Sequence, residues 1–230
     1  MMEPRIVEVR ENVLRKNDRL AHHLRDQFRS AGVFVINLVS SPGSGKTTLL
    51  RETLIRLRPD FNVAAVVGDL ATENDAKRLA ESGAPIRQIT TGTTCHLDAS
   101  MIERAIMGWD LKELDFLFIE NVGNLVCPAS YDLGEDYRVV LFSVTEGEDK
   151  PVKYPTLVST SDLALVTKID LADVVGFNRE VFSQAIEEVR PEIPLIWVSA
   201  RTSLGMDTWL TALVDARNAR ISSRTEPFYQ

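Results

Sequence analysis

The stretch Val35 to Leu50, "VINLVSSPGSGKTTLL", restricts what this chain can fold into more than any other. An apolar, β-branched run reads as a buried strand. A Ser/Pro/Gly loop follows, and the next residues have helical character. Gly45-Lys46-Thr47 stands in the Walker A position of a phosphate loop. Backbone N–H groups of such a loop cradle phosphate, helped by the positive end of the following helix. On this reading Gly43, Ser44, Gly45 and Thr48 line the phosphates, Lys46 reaches the β- and γ-phosphates, and the Thr47 hydroxyl holds Mg²⁺. The generic pattern opens with glycine, where this chain has Ser40; Gly43 still supplies backbone freedom in mid-loop. The competing reading is a strand-to-helix turn without a ligand, which the strand–loop–helix context disfavours.

A rhythm continues through the chain. "VFVINLV", "NVAAVVG", "LDFLFIE", "YRVVLFSV", "DLALVTK" and "PLIWVSA" read as strands. "KTTLLRETLIRLR", "ENDAKRLAESG", "ASMIERAIMG", "REVFSQAIEEVR" and "GMDTWLTALVDARNAR" read as helices. Apolar strands alternating with amphipathic helices predict an α/β fold, a mostly parallel doubly wound sheet flanked by helices. Ahead of it, residues 1–31 predict an amphipathic helix through Val13, Leu14, Leu20, Ala21, Leu24 and Phe28, stopped by Gly32. His22 and His23 lie in that pattern as solvated helix residues. No linker, repeat or low-complexity tract interrupts residues 1–230, so one domain is expected, with a loosely ordered tail over 221–230.

Charge and composition narrow the function classes. The formal charge is −7, which argues against nucleic acid as a partner, since duplex binding wants a basic face. No apolar run approaches the roughly 20 residues of a membrane span. The charged start, "MMEPRIVEVRENVL", lacks a secretory core, and two cysteines make no disulfide framework. The expectation is a reduced cytoplasmic protein.

ATP and GTP share the phosphate loop, so the base must be read elsewhere. "ALVTKIDLAD" puts Lys168 and Asp170 at a strand end in the pattern of a guanine-reading motif, with Thr167 where Asn is usual. An aspartate there accepts two hydrogen bonds from guanine that adenine cannot offer. Ser199 and Ala200 in "WVSARTS" resemble the second guanine-contacting segment. The two together favour GTP. Asp69 and Glu120 end strands and are candidates for the Mg²⁺ shell at the carboxyl edge of the sheet. Gly123 is placed to bring a backbone N–H to the γ-phosphate. Asp75 either orients water or touches Mg²⁺, or is a surface charge at a helix end. Lys46, Asp75 and Glu120 are the catalytic candidates.

"TTGTTCHLDAS" holds one of the two cysteines beside one of the three histidines. The other cysteine, Cys127, lies seven residues past Glu120. Both cysteines therefore leave the ligand edge of the sheet. Cys95, His96 and Cys127 could converge as soft metal ligands, or be two packed thiols and a satisfied histidine. Three ligands fall short of a closed four-coordinate site, and a two-fold pairing of chains would double them.

Several segments are similar to one family. "NLVSSPGSGKTTLL", "GDLATENDAKRL", "ITTGTTCHLDASMI", "FIENVGNLVCPASYDLGE", "SVTEGEDKPVKYP" and "TKIDL" resemble the HypB family of hydrogenase nickel-incorporation GTPases, in the SIMIBI class of P-loop proteins. The UreG relatives carry Cys-Pro-His in the metal loop, and the CobW relatives a Cys-x-Cys-Cys motif; this chain has neither. The resemblance implies slow GTP hydrolysis, a GTP-promoted homodimer, and Ni²⁺ delivery to the large subunit of [NiFe]-hydrogenase with a HypA-type metallochaperone. It puts Ni²⁺ or Zn²⁺ ligands on Cys95, His96 and Cys127 at the dimer interface. It assigns GTP/GDP and Mg²⁺ to the residues named above, and sets Lys150 and Lys153 near the nucleotide or the partner. Two departures stand out: the sequence has no N-terminal cysteine cluster or histidine-rich stretch, and it has Thr167. Two other readings are a GTPase serving another metalloenzyme, such as urease, and a regulatory GTPase with structural thiols.

Overall fold

The computed structural model describes residues 5–70 and 74–225, with side chains from 12 to 222. Helix α1 (Arg5–Ala31) leads into β1 (Phe34–Ser40), α2 (Lys46–Leu57) and β2 (Val63–Asp69). Next come α3 (Asn74–Ala80), β3 (Ile86–Thr90), α4 (Ala99–Ile106) and β4 (Phe116–Glu120). β5 (Tyr137–Ser143) is followed by the short helices α5 (Lys150–Lys153) and α6 (Pro155–Ser159). β6 (Leu163–Thr167), α7 (Ala172–Val175), α8 (Arg179–Val189), β7 (Leu195–Trp197) and α9 (Met206–Thr225) complete it.

Seven strands form one all-parallel sheet in the order β3-β2-β4-β1-β5-β6-β7. β1 is buried along its whole length, because the sheet is covered on both faces. Its side chains alternate between two cores. Phe34, Ile36 and Leu38 pack with Leu49, Leu54, Trp209 and Leu213 of α2 and α9. Val35 joins Ala21, Leu24 and Phe28 of α1 and Ile102 of α4. A third cluster holds Phe142 of β5, Val166 of β6 and Phe182 of α8. Every strand ends its carboxyl terminus at one edge. There the connections from β1 run to one side of the sheet and those from β5 to the other, which is where ligands of such folds bind.

The doubly wound sheet agrees with the sequence pattern, with three differences. The seventh strand, β3, was not expected. Its residues "IRQIT" are half-buried on an edge and lack a continuous apolar run. The charged segment "EGEDKPVKYP", outside the helices read from the sequence, contains α5 and the start of α6, each with proline in its first turn. Helix α9 continues to Thr225, so residues 221–225 of the expected tail are helical. Residues 226–230 lie outside the described residues, as do 1–4 of the expected first helix. Gly32 ends α1 as anticipated, with φ +82°, and His22 and His23 are exposed.

Candidate nucleotide and metal sites

The loop between β1 and α2 turns through Gly43 and Gly45, with φ of 74° and 96°. Gly45 caps α2, so the first N–H groups of that helix face a cavity of about 440 Å³. Gly43, Gly45, Lys46, Thr47, Thr48, Asp69, Asp75, Glu120 and Gly123 all line this cavity. Lys46 is 7% exposed, and burial lowers its pKa against the pull of Glu120. Its Nζ donates to Ser40 Oγ at 2.8 Å. Ser40, the departure from the glycine pattern, thus serves as a seat for the lysine; it is fully buried and also contacts Ser44 Oγ. The Ser44 side chain points at Ser40, so Ser44 faces the loop rather than the cavity.

Thr47 Oγ1 donates to Glu120 Oε1 at 2.6 Å. Glu120 is 2% exposed, and its second oxygen has no hydrogen-bond partner. Burial pushes its carboxyl up to about 7, against the pull of Lys46 and the Thr47 hydrogen bond. An unpaired buried carboxylate oxygen is costly, and a hard divalent cation would satisfy it. Thr47, Glu120 and Asp69 at the end of β2 therefore fit Mg²⁺. Asp69 Oδ1 accepts the Leu70 N–H at 2.6 Å. Asp75, in the first turn of α3, shares the cavity with Arg78 of the same helix. Arg78, three residues on, was missed by the sequence reading; its position on the same helical face as Asp75 was the available signal.

Gly123 lies against the phosphate loop. A Cβ there would sit 2.9 Å from Pro42 Cα and 3.0 Å from its nitrogen. Only glycine lets the segment after β4 approach so closely.

A second cavity, about 210 Å³, adjoins the first through Gly45, Thr48 and Lys168. Thr167, Lys168, Asp170, Ser199 and Ala200 line it, so the base-reading candidates are together. Thr167 Oγ1 donates to Ser44 O at 2.5 Å and also lies 3.0 Å from Phe142 O. The threonine ties β6 to the phosphate loop. Lys168, at φ 58°, reaches across to donate to Gly43 O at 2.6 Å. Asp170 is exposed in the short 3-10 turn that follows.

A cluster of soft ligands stands beside the phosphate cavity, next to Gly68 and Asn121 of its lining. Ligand atoms of Cys95, His96 and Cys127 lie within 4.8 Å of one another, and all three residues are half-buried. The two sulfurs are 2.9 Å apart, and Cys95 Sγ is 3.9 Å from His96 Nδ1. The His96 ring stacks on Tyr131 with centroids 3.8 Å apart. Burial lowers the His96 pKa, against the pull of Asp98, which favours the neutral imidazole that binds metal.

Both ligand loops are anchored to the strands that wall the phosphate cavity. Leu97 is fully buried against Gly68 of β2, where a Cβ would fall 2.8 Å from it. The Leu97 N–H donates to Asn121 Oδ1 at 3.2 Å, and Asn121 follows Glu120 directly. Asn121 Nδ2 donates to Asn37 Oδ1 at 3.4 Å, and Asn37 Nδ2 to Glu135 Oε1 at 3.0 Å. Glu135 accepts from Arg138 Nε at 2.8 Å. Arg138 reaches Tyr131 O at 3.0 Å and Ala129 O at 3.4 Å, in the segment that carries Cys127. The sequence reading missed this buried chain. Its signal was Asn37, a lone polar residue inside the most apolar strand.

Fold and site define a P-loop nucleotide-binding protein with a soft metal-ligand cluster next to its phosphate cavity. The description "CobW/HypB/UreG, nucleotide-binding domain" matches residues 34–197, and the chain belongs to this family, on its HypB branch. It is 50% identical over 219 residues to the hydrogenase maturation factor HypB of Escherichia coli (strain K12), covering 95% of this chain and 76% of the relative. It is 40% identical over 221 residues to the hydrogenase/urease maturation factor HypB of Helicobacter pylori (strain ATCC 700392 / 26695), covering 94% and 90%. The crystal structure of HypB from Helicobacter pylori in complex with nickel superposes with a TM-score of 0.84 at 39% identity, covering 94% of this chain and 99% of that one. HypB from Archaeoglobus fulgidus gives 0.82 at 36% identity, covering 88% and 98%. No helix among the described residues is long and apolar enough to cross a membrane.

Proposed function

We propose that this chain is a GTP-hydrolysing metallochaperone that carries Ni²⁺, or Zn²⁺, on Cys95, His96 and Cys127. The observation that carries the reading is the convergence of these three ligand atoms within 4.8 Å, on loops tied to the ends of β2 and β4. The metal is cargo. Thiolate and imidazole suit it, and half-exposure leaves it able to depart.

In the nucleotide groove, the loop N–H groups and Lys46 bind the phosphates. Asp170 reads guanine, flanked by Lys168, Ser199 and Ala200. Thr47, Asp69 and Glu120 hold Mg²⁺, with Asp75 touching the same shell or orienting the attacking water. When bound, Mg²⁺ supplies charge neutralisation at the β- and γ-phosphates. Gly123 offers its N–H to the γ-phosphate, so loss of that phosphate releases the segment that runs on to Cys127. GTP thereby sets the geometry of the metal loops, and hydrolysis resets it.

One chain offers three ligands, so a homodimer promoted by GTP completes the coordination. The whole of 1–230 acts as a single cytoplasmic domain. A HypA-type metallochaperone and the large subunit of [NiFe]-hydrogenase are the proposed partners. The Helicobacter pylori relative's name, hydrogenase/urease maturation factor, supports a second target, urease.

Equilibrium dialysis of Ni²⁺ under reducing conditions, in GDP and in a non-hydrolysable GTP analogue, tests the reading. Binding should depend on Cys95 and change with nucleotide. No binding in either state would leave a GTPase acting through partner contacts alone.

A further inference from the structure

Helix α1 contributes a buried polar group where its core face should be apolar. Leu14, Asn17, Ala21, Leu24 and Phe28 follow the three-and-four spacing of one helical face, and Asn17 is only 7% exposed. Its carboxamide makes two bonds in opposite senses. Oδ1 accepts the Ala99 N–H at 2.9 Å, and Nδ2 donates to Asp132 O at 2.8 Å. Those two partners fix the orientation of the amide, since a flip would set donor against donor and acceptor against acceptor.

The partners are the two metal loops. Ala99 is three residues past His96 and opens α4 behind the Asp98 cap. Asp132 directly follows Tyr131, the residue stacked on His96, and lies five residues past Cys127. One side chain from α1 therefore bonds both the Cys95-His96 loop and the Cys127 loop. Two further features hold α1 against the second loop. Arg25 Nη2 lies 2.6 and 2.7 Å from the two carboxylate oxygens of Asp132. A Cβ at Gly134 would fall 2.8 Å from Ala21 O, so that loop runs directly along the helix.

We propose that Asn17 is a positioning residue of the metal site, setting the separation of the two ligand loops from the side remote from the nucleotide. The proposal rests on Cys95, His96 and Cys127 being the metal ligands. Groups behind the ligands orient them, and their loss typically weakens metal binding by roughly 10- to 100-fold. Asn17 lines neither nucleotide cavity, so its effect falls on metal and not on GTP.

The test uses the full chain with Asn17→Asp, which keeps an acceptor for Ala99 and sets a carboxylate against the Asp132 carbonyl. Two readouts are taken. The first, without metal, is the rate at which diamide, a thiol oxidant, joins Cys95 to Cys127. The second is Ni²⁺ affinity with the near-ultraviolet thiolate-to-nickel band. The expected result is about tenfold slower joining and about tenfold weaker Ni²⁺ binding, with unchanged affinity for a GTP analogue. Phe28→Leu, eleven residues along α1, is the control: it lowers stability without changing the joining rate. If the new carboxylate unfolds the chain, Asn17→Ala removes both bonds without adding charge. A folded Asn17 variant with wild-type joining rate and wild-type nickel binding overturns the proposal. Absence of nickel binding by the wild type overturns the carrier reading instead, and the joining rate still decides whether Asn17 holds the loops.

Discussion

The phosphate cavity and the thiol–imidazole cluster are neighbours built in opposite ways. The first takes its phosphate-facing loop from one continuous run, Pro42 to Thr48, between a buried strand and a helix, and its walls from the ends of β2 and β4. Its cation, Lys46, and its carboxylate, Glu120, are both nearly sealed from water. The second joins loops 32 residues apart, with every ligand half-exposed. Its geometry comes from residues behind it: Leu97 on Gly68, Asn121, Arg138 and Asn17. The difference suits the tasks. On the proposed reading, a phosphate site gains from fixed donors, whereas a cargo site must form and dissolve as its loops shift.

Lys46→Ala should separate the two regions most sharply. GTP hydrolysis should fall by roughly a thousandfold or more, since a preorganised cation is lost from a water-excluded site, while Ni²⁺ binding in GDP persists. Single-turnover hydrolysis and dialysis on the same sample would check both. Retained hydrolysis would break the assignment of the cavity.

The buried carboxylate gives the phosphate cavity a pH signature of its own. The Glu120 pKa in the folded chain, about 7, lies above its ordinary 4.5. The associated stability is present below the lower value and is lost as pH rises through about 7. Without Mg²⁺ and nucleotide, it amounts to about 3 kcal/mol. Urea unfolding at pH 5 and pH 8 should show this loss in the wild type and not in Glu120→Gln. Saturating Mg²⁺ and nucleotide should reduce it, because the unpaired oxygen then has a partner.

Asp170→Asn should move base preference from guanine toward xanthine nucleotides by roughly 10- to 100-fold, the worth of a charged hydrogen bond. Competition binding would measure it, and an unchanged preference would remove Asp170 as the base reader. Gly68→Ala should have the smallest effect. The new methyl must displace the buried Leu97, and Ni²⁺ affinity should fall by roughly three- to tenfold. An unaltered affinity would show that β2 does not set the metal loop.

Much of this was legible in order along the chain. "SSPGSGKTT" announces its own backbone path, because glycines at positive φ and a strand before a helix leave few alternatives. The strand-end carboxylates follow from the rule that such sheets bind ligands at their carboxyl edge, and the Lys168/Asp170 pair from the pattern of a guanine-reading motif in "ALVTKIDLAD". The edge strand β3 was not legible, since its half-buried residues carry no unbroken apolar run.

Sequence alone determined the α/β architecture, the phosphate loop and the identity of three soft side chains. These depend on local backbone preference and on residue chemistry, both of which are written in short segments. Only the tertiary structure decided that Cys95, His96 and Cys127 meet, and that Ser40 seats Lys46. It alone decided that Asn17, Asn37 and Asn121 are buried in bonds to loops far along the chain. Those contacts join residues up to 115 positions apart, so no local pattern encodes them. They exist because a buried polar group must find a partner, and packing brought these partners within reach.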